Sequence, residues 1–279
     1  MSGTLYVVAT PIGNLDDLTP RARQTLASVS LIAAEDTRHT GRLLMHIACK
    51  TRLMTLHDHN EEKVVGDLIA MLKDGDSIAL VSDAGTPLIS DPGFRLVREA
   101  HRNNIPVSPI VGASAGIAAL SSSGIATDRF CFEGFLPSKE TARRDALGKL
   151  VNETRTLVFY ESVHRIADCL ADMVAVFGAD RQAFIGRELT KMHEQCVQET
   201  LATIKQQIDA GTIVSKGEFV VIVSGNDAIP DSDIDNDQLL LELAAYLPAK
   251  DVAKVAARIL GKKKNALYER LLQLKAANT

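Results

Sequence analysis

Short apolar runs alternate with amphipathic stretches through the first 110 residues. Leu5-Tyr6-Val7-Val8-Ala9, Leu31-Ile32-Ala33-Ala34, residues 52–56, Ser77-Ile78-Ala79-Leu80-Val81 and residues 107–110 have the length and composition of buried strands. Between them the apolar positions return at helical spacing. Thr19-Pro20 opens a helix to about residue 29, Asn60 with Glu61 and Glu62 opens one to about residue 73, and residues 94–100 form another. This rhythm predicts a mainly parallel sheet with helices on both faces. From residue 114 the order loosens towards an α+β pattern, with strands at 129–133, 156–160, 183–186 and 219–223. Residues 238–276 read as helices without a strand, broken at Leu247-Pro248-Ala249-Lys250-Asp251 and at Gly261-Lys262-Lys263-Lys264-Asn265. Short helices joined by a Gly-containing turn beside Lys and Arg resemble a helix-turn-helix. The expected organisation is an α/β domain over 1–113, a second α/β domain over 114–226 that completes a cleft, a linker over 227–238 and a helical domain over 239–279.

Charge supports that division. The net charge is -4, yet residues 249–279 carry eight Lys or Arg against two acids, while Asp227, Asp231, Asp233, Asp235 and Asp237 crowd the segment before them. A basic tail behind an acidic linker suits a nucleic-acid partner. With 279 residues, 46% hydrophobic and 24% charged, the chain has the balance of a soluble globular protein. Residues 105–127 are uncharged and long enough to span a membrane. Pro106, Pro109, Gly112, Gly116, Gly124 and five Ser make them read instead as strand, loop and buried helix. No export segment is evident, and Cys49, Cys131, Cys169 and Cys196 are far apart in sequence, so a reduced, cytoplasmic protein is expected.

The candidate chemistry gathers where strands end. The first ends in Thr10-Pro11-Ile12-Gly13-Asn14, the second in Glu35-Asp36-Thr37-Arg38-His39, the third in His57-Asp58-His59-Asn60 and the fifth in Val111-Gly112-Ala113-Ser114-Ala115. The fourth ends in Ser82-Asp83-Ala84-Gly85-Thr86-Pro87-Leu88-Ile89-Ser90-Asp91-Pro92-Gly93, where two Gly, two Pro and two Asp constrain a strand-to-helix turn. Asp91-Pro92 reads as the helix start, with Asp as N-cap. In a parallel sheet these ends share one edge, which is where such sheets bind ligands. No dinucleotide fingerprint, P-loop or nucleophile elbow occurs. Glu35-Asp36 with Arg38 reads equally as a surface ion pair, and His57-x-His59 as a metal pair lacking Cys partners. Glu161, His164 and Arg165 follow one strand, with Ser162 as a helix N-cap, and Arg187-Glu188 follow another. Arg143-Arg144 lie behind the aromatic Phe132-Glu133-Gly134-Phe135-Leu136, a setting that suits RNA and equally a solvated helix start.

Taken together, Thr10-Pro11-Ile12-Gly13-Asn14-Leu15, Ala34-Glu35-Asp36-Thr37-Arg38-His39-Thr40, Leu56-His57-Asp58-His59-Asn60-Glu61, the 82–93 segment and Phe132-Glu133-Gly134-Phe135-Leu136-Pro137 closely resemble the ribosomal RNA small subunit methyltransferase I family. That family lies within the tetrapyrrole-methylase-like superfamily, and the likeness runs from about residue 4 to residue 272, including Lys263-Lys264-Asn265-Ala266-Leu267-Tyr268. It implies a two-domain tetrapyrrole-methylase-like fold, an S-adenosylmethionine cofactor, a homodimer, and 2′-O-methylation of a cytidine in the decoding region of 16S rRNA. By matching segments, Pro11, Gly13, Asp83, Gly85, Thr86, Pro87, Ser114, Ala115, Tyr160, Glu161, Gly217 and Glu218 would contact the cofactor. Candidate proton acceptors are Glu35, Asp36, His39, His57, Asp58, Glu161 and Glu188, and the sequence does not choose between them. Arg38, Arg143, Arg144, Arg165 and Arg187 are candidate phosphate clamps, and Lys262, Lys263 and Lys264 candidate docking residues. The chain departs from the family pattern with Val111-Gly112-Ala113 in place of Pro-Gly-Pro and with Ala9 in place of a proline. A methyltransferase acting on a tetrapyrrole or a protein, a metal-dependent hydrolase and a non-catalytic ribosome-binding factor are the competing readings.

Overall fold

The computed structural model describes residues 2–57, 59–226 and 236–277. Asp58 and most of the acidic linker, 227–235, therefore lie outside the described residues. The chain divides into two compact units, Met1–Gly225 and Asn226–Thr279.

The larger unit begins with strict alternation: β1 Leu5–Val8, α1 Pro20–Ser28, β2 Leu31–Ala34, α2 Thr37–His46, β3 Leu53–Thr55, α3 Glu61–Lys73, β4 Ile78–Val81, α4 Phe94–Arg102 and β5 Val107–Ile110. All five strands are parallel, in the order β3-β2-β4-β1-β5. Strand residues alternate between two cores, because successive side chains point to opposite faces. Leu31, Ala33, Ile78 and Leu80 pack with Leu68 and Leu72 of α3 and Leu96 and Ala100 of α4. Ile32, Ala34, Ala79 and Val81 pack with Ala22 and Leu26 of α1 and Leu43 and Leu44 of α2. β1 and β4 are neighbours, but β1 leads towards β2 and β4 leads to β5 on the opposite side. The two connections cross on opposite faces of the sheet, α1 after β1 on one and α4 after β4 on the other, so the loops at these neighbouring strand ends part to the two sides and leave a crevice there.

A second sheet follows: α5 Ala115–Ser122, β6 Phe130–Phe135, α6 Glu140–Gly148, β7 Thr156–Ser162, α7 Ile166–Phe177, β8 Gln182–Arg187, β9 Gln195–Thr200, α8 Leu201–Asp209 and β10 Glu218–Val223. Its order is β6-β7-β10-β8-β9, and only β6 and β7 run parallel. One face packs against α7 and α8 through Leu157, Phe159, Val221, Leu170 and Ile204. The other carries Val158, Phe184, Val220 and Ile222 against Ala119 and Leu120 of α5 and against Ile12 from the first sheet's loops.

Two expectations about helix starts fail here, at Asp91 and at Ser162. Asp91-Pro92 does not open α4: the N-cap is Gly93 at φ 119, and no side chain of the cap residue bonds the helix. The buried Glu61 of α3 takes over, its Oε1 accepting the N–H groups of Arg95 (2.9 Å) and Leu96 (3.2 Å). Asn60 opens α3 as expected, its side chain accepting the His57 N–H and donating to the Thr55 carbonyl rather than bonding the helix. Ser162 is the last residue of β7, while α7 starts four residues later behind Arg165. The edge strand β9 is an addition to the expected order.

In the smaller unit, α9 Asn236–Ala244, α10 Ala249–Leu260 and α11 Lys264–Ala277 bury Leu240, Val252, Ala256, Leu267 and Leu271 among them. Gly261 closes α10 in the left-handed region at φ 66. Among the described residues, no helix is long and apolar enough to cross a membrane.

Candidate active site

The loop after β4 is the most constrained part of the chain. Gly85 (φ 81), Leu88 (φ 73), Ser90 (φ 68) and Gly93 (φ 119) all adopt left-handed backbone angles. For Leu88 and Ser90 this costs about 1–2 kcal/mol each, so the surroundings must enforce it. They do so by joining four strand-end loops. Thr10 after β1 exchanges two backbone hydrogen bonds with Gly85, at 2.8 and 3.1 Å. Thr86 donates its hydroxyl to the Ala113 carbonyl after β5 (2.9 Å), and Asp83 Oδ1 accepts the Asp36 N–H after β2 (3.0 Å). Glycine is needed at 85 because a Cβ there would stand 3.3 Å from Ile12 Cγ2, in addition to the strain of its φ.

Facing this loop is the second sheet. The Tyr160 hydroxyl accepts the N–H of Gly116 in the first turn of α5 (3.0 Å), and the ring meets Phe132 and Phe135 edge to face at 4.9 and 5.7 Å. Between the two walls is a cleft of about 360 Å³, large enough for a small molecule. Its charged lining is one-sided. Glu35, Asp83, Asp91, Glu161 and Glu218 line it, and no Lys, Arg or His is among the described residues that do. Ile12, Leu189, Phe219 and Val220 add an apolar wall. Burial pushes the Asp91 carboxyl up to about 6, helped by the nearby Asp83 charge and opposed by a hydrogen bond with the Ser82 hydroxyl. Such a cleft suits a ligand with positive charge and a flat apolar part, and it repels phosphates.

The expected cofactor residues converge here in large part. Asp83, Gly85, Thr86, Ser114, Ala115, Tyr160, Glu161 and Glu218 all line the cleft. Pro11 and Pro87 are buried beside it, and Ile12 rather than Pro11 or Gly13 faces in. Gly13 lies against the loop after β8, where the Asn14 N–H meets Thr190 Oγ1 at 3.1 Å. Gly217 (φ 91) presses on Glu188, whose Oε1 accepts the Glu218 N–H (3.0 Å) and pairs with Lys191 (2.8 Å).

Other assignments are corrected. Asp36 caps α2 and is clasped by Arg38, which holds its carboxyl far below the usual range and makes it a poor proton acceptor. Glu188 is committed to Lys191 and the Glu218 N–H. Glu161 is buried, its Oε1 accepting the Ser162 N–H while Oε2 stands 3.2 Å from Arg165. Arg143 is buried on Asp172 (2.6 Å), and Arg187 is buried on the Lys216 and His193 carbonyls (2.6 and 2.7 Å). Both guanidinium groups serve the fold, so neither is available to a phosphate. Arg165 pins the Leu136 and Pro137 carbonyls. Arg38 (87% exposed), half-exposed Arg144, Lys263 just before α11 and Lys264 at its start stay accessible to a large partner, the two arginines while ion-paired with acids of this chain. His57 and His59 stack edge to face at 5.8 Å, and no group of three or more His, Cys, Asp and Glu among the described residues could hold a metal ion. Asp91 escapes notice as a site residue in the sequence because Asp-Pro is also a helix-start signal; Ile12, Leu189 and Val220 carry no chemical mark.

Comparison with known proteins agrees with this geometry. The sequence model of the tetrapyrrole (corrin/porphyrin) methylases matches residues 4–205, and that of the RsmI C-terminal HTH domain matches residues 230–275. The protein named ribosomal RNA small subunit methyltransferase I is 52% identical in Escherichia coli O157:H7, covering 97% of this chain and 95% of that one. Its Haemophilus influenzae counterpart is 51% identical over 96% of both chains. Among solved structures, uroporphyrin-III C-methyl transferase from Thermus thermophilus, complexed with S-adenyl homocysteine, superposes with a TM-score of 0.54 over 80% of this chain and 98% of that one, at 16% identity.

Proposed function

The chain belongs to the tetrapyrrole methylase family and, within it, to the ribosomal RNA small subunit methyltransferase I group, and on that premise we propose that it methylates the ribose 2′-oxygen of a cytidine in the decoding region of 16S rRNA. It is an rRNA methyltransferase, and its cofactor is S-adenosylmethionine. The observation that carries the reading at the level of the site is that the charged lining of the cleft, built on the loops after β1 and β4, is acidic alone among the described residues.

That lining fits the cofactor. When bound, S-adenosylmethionine supplies an electrophilic methyl group on a positively charged sulfur, beside an ammonium group. Five carboxyl side chains favour such a cation, and the lack of basic lining among the described residues disfavours nucleotide phosphates. Ile12, Leu189, Phe219 and Val220 would offer an apolar wall to an adenine ring, and the loops carrying Gly85, Thr86, Ser114 and Ala115 would hold the polar end. A sulfonium needs no acid to help it leave. What the chain must contribute is alignment and an acceptor for the hydroxyl proton. The ties among Thr10, Gly85, Thr86 and Ala113 provide the rigidity that alignment needs.

Phosphates must then be held outside the cleft, by Arg38, Arg144 and the Lys262, Lys263 and Lys264 turn of the helical unit. Exposed apolar side chains on the larger unit, among them Phe94, Val111, Ile117 and Phe130, support a homodimer. The test is transfer of labelled methyl from the cofactor to small ribosomal subunits lacking modifications, beside naked 16S rRNA, a precursor tetrapyrrole and bulk protein. Label in the RNA of the subunit supports the reading. Label in the tetrapyrrole or in protein alone refutes it.

A further inference from the structure

We propose that Asp91 is the proton acceptor in the methyl transfer, an inference that rests on the rRNA-methyltransferase reading above. The other candidate carboxyls have partners of their own, although Glu161 Oε2, ion-paired with Arg165, accepts no hydrogen bond. Asp36 is clasped by Arg38, Glu188 by Lys191 and a backbone amide, and Glu161 by Arg165 and a backbone amide. Asp83 spends Oδ1 on the Asp36 N–H, and Glu35 is engaged in an interaction of its own.

Asp91 is different in three ways. It lines the cleft, the side-chain donor nearest to it in effect is the neutral Ser82 hydroxyl rather than a cation, and no Lys, Arg or His is among the described residues that line the cleft with it. The groups that face it from the packed elements are Asp83 on its own loop, Glu35 after β2, Tyr160 and Glu161 on β7, and Glu218 on β10. Its position is enforced at a cost, since Leu88 and Ser90 just before it sit in left-handed angles. The Ser90 hydroxyl lies 3.2 Å from where a Cβ on Gly134 would stand, at the bulge of β6 next to the exposed Phe135. The loop therefore carries Asp91 to the part of the cleft bordered by Phe135, where a ribose on a large substrate can approach. Held up to about 6, its carboxyl is ionised at neutral pH yet more basic than an ordinary carboxylate.

Asp91 takes the proton of the 2′-hydroxyl as that oxygen bonds to the methyl carbon. The electron pair of the severed carbon–sulfur bond stays on sulfur, leaving a neutral thioether and a neutral Asp91 carboxyl that returns its proton to water. Positive charge on the sulfur and negative charge on the aspartate vanish together, so the partial exclusion of water around Asp91 favours the step.

The experiment compares wild type, Asp91→Asn, Asp91→Glu and Glu35→Gln in single-turnover transfer to unmodified small subunits. Calorimetry of S-adenosylhomocysteine binding and a carbon-13 titration of the Asp91 carboxyl accompany it. The expected result is a loss on the order of 10²–10⁴-fold for Asp91→Asn, with thioether affinity little changed from wild type and part of the rate restored by Asp91→Glu. Wild-type kcat/KM should rise with pH to a plateau, with a midpoint near 6 that matches the titration. An Asp91→Asn rate close to that of wild type overturns the proposal. So do a fall in cofactor affinity that accounts for the whole loss, a larger loss in Glu35→Gln, or a flat pH profile. A wild type that methylates no rRNA overturns the rRNA reading itself, and this inference with it; an active wild type leaves that reading standing whatever the variants do.

Discussion

Replacing Glu61 with alanine should loosen the very loop that builds the cleft. Glu61 is buried on α3, 34 residues from the first of the amides it caps, and Oε1 accepts from Arg95 at 2.9 Å and Leu96 at 3.2 Å. The N-cap residue of α4 is Gly93, which has no side chain to offer. Hydrogen bonds to a charged acceptor are worth about 1.5–3 kcal/mol each, and a lost cap costs about 0.5–2 kcal/mol. Since Leu96 is buried and Arg95 is half-exposed, water can replace one bond better than the other, and a net loss of about 2–4 kcal/mol is expected. For a chain of this size that lowers the melting temperature by roughly 5–12 °C. Glu61→Gln keeps an acceptor oxygen and loses only the charge, so it should cost about 1 kcal/mol. The assay is denaturant unfolding of both variants with hydrogen exchange at the Arg95 and Leu96 amides. Exchange should accelerate there first, and S-adenosylhomocysteine affinity should fall with it, because α4 anchors the end of the 82–93 loop. A Glu61→Ala variant within about 0.5 kcal/mol of wild type, or a Glu61→Gln variant equally damaged, would show that the Glu61 carboxylate does not secure the start of α4.

Three further outcomes follow from the same structure. Asp172→Ala strands the buried Arg143 guanidinium and should cost about 3–5 kcal/mol, whereas Arg144→Ala, half-exposed on the same carboxylate, should cost under about 1 kcal/mol; equal losses on denaturation would count against a buried charge. Lys263→Ala with Lys264→Ala should weaken subunit binding and flatten its salt dependence, the log–log slope falling by roughly one for each phosphate no longer neutralised, with cofactor affinity unchanged by calorimetry; an unaltered salt slope would remove these lysines from docking. Asp91 also predicts a pH signature. With its carboxyl raised in the fold, the native state binds the extra proton between the ordinary carboxylate range and about pH 6. Stability from this group therefore falls as pH rises through that window. Asp91→Asn should melt above wild type at neutral pH and lose that advantage below the ordinary carboxylate range, and a lower melting point at neutral pH would contradict the assigned strain.

The first sheet is legible in the sequence because its strands are short, apolar and parallel, and because α1 carries a Thr19 cap and Pro20 in adjacent positions. The 82–93 loop declares itself through Gly, Pro and Asp. What stays hidden depends on partners distant in sequence. Arg143 looks like a solvated helix start until Asp172 is folded against it, and Glu61 looks like a first-turn acid until α4 arrives. Strand β9 is invisible because Gln195, Gln198 and Glu199 give it little apolar character, as befits an edge strand paired on one side only. Asp91 reads as a cap because Asp-Pro is a cap signal, and only the left-handed angles at Leu88, Ser90 and Gly93 turn it into the cleft.

The position of the transferred methyl group separates ribose 2′-O-methylation from every competing activity. Small subunits labelled by the protein are digested to nucleosides and separated by mass, beside an alkaline digest that cuts only where the 2′-oxygen is unblocked. The expected result is label in 2′-O-methylcytidine alone, at one alkali-resistant position in the decoding region. Label on a base, on a protein, or spread over many riboses would contradict it.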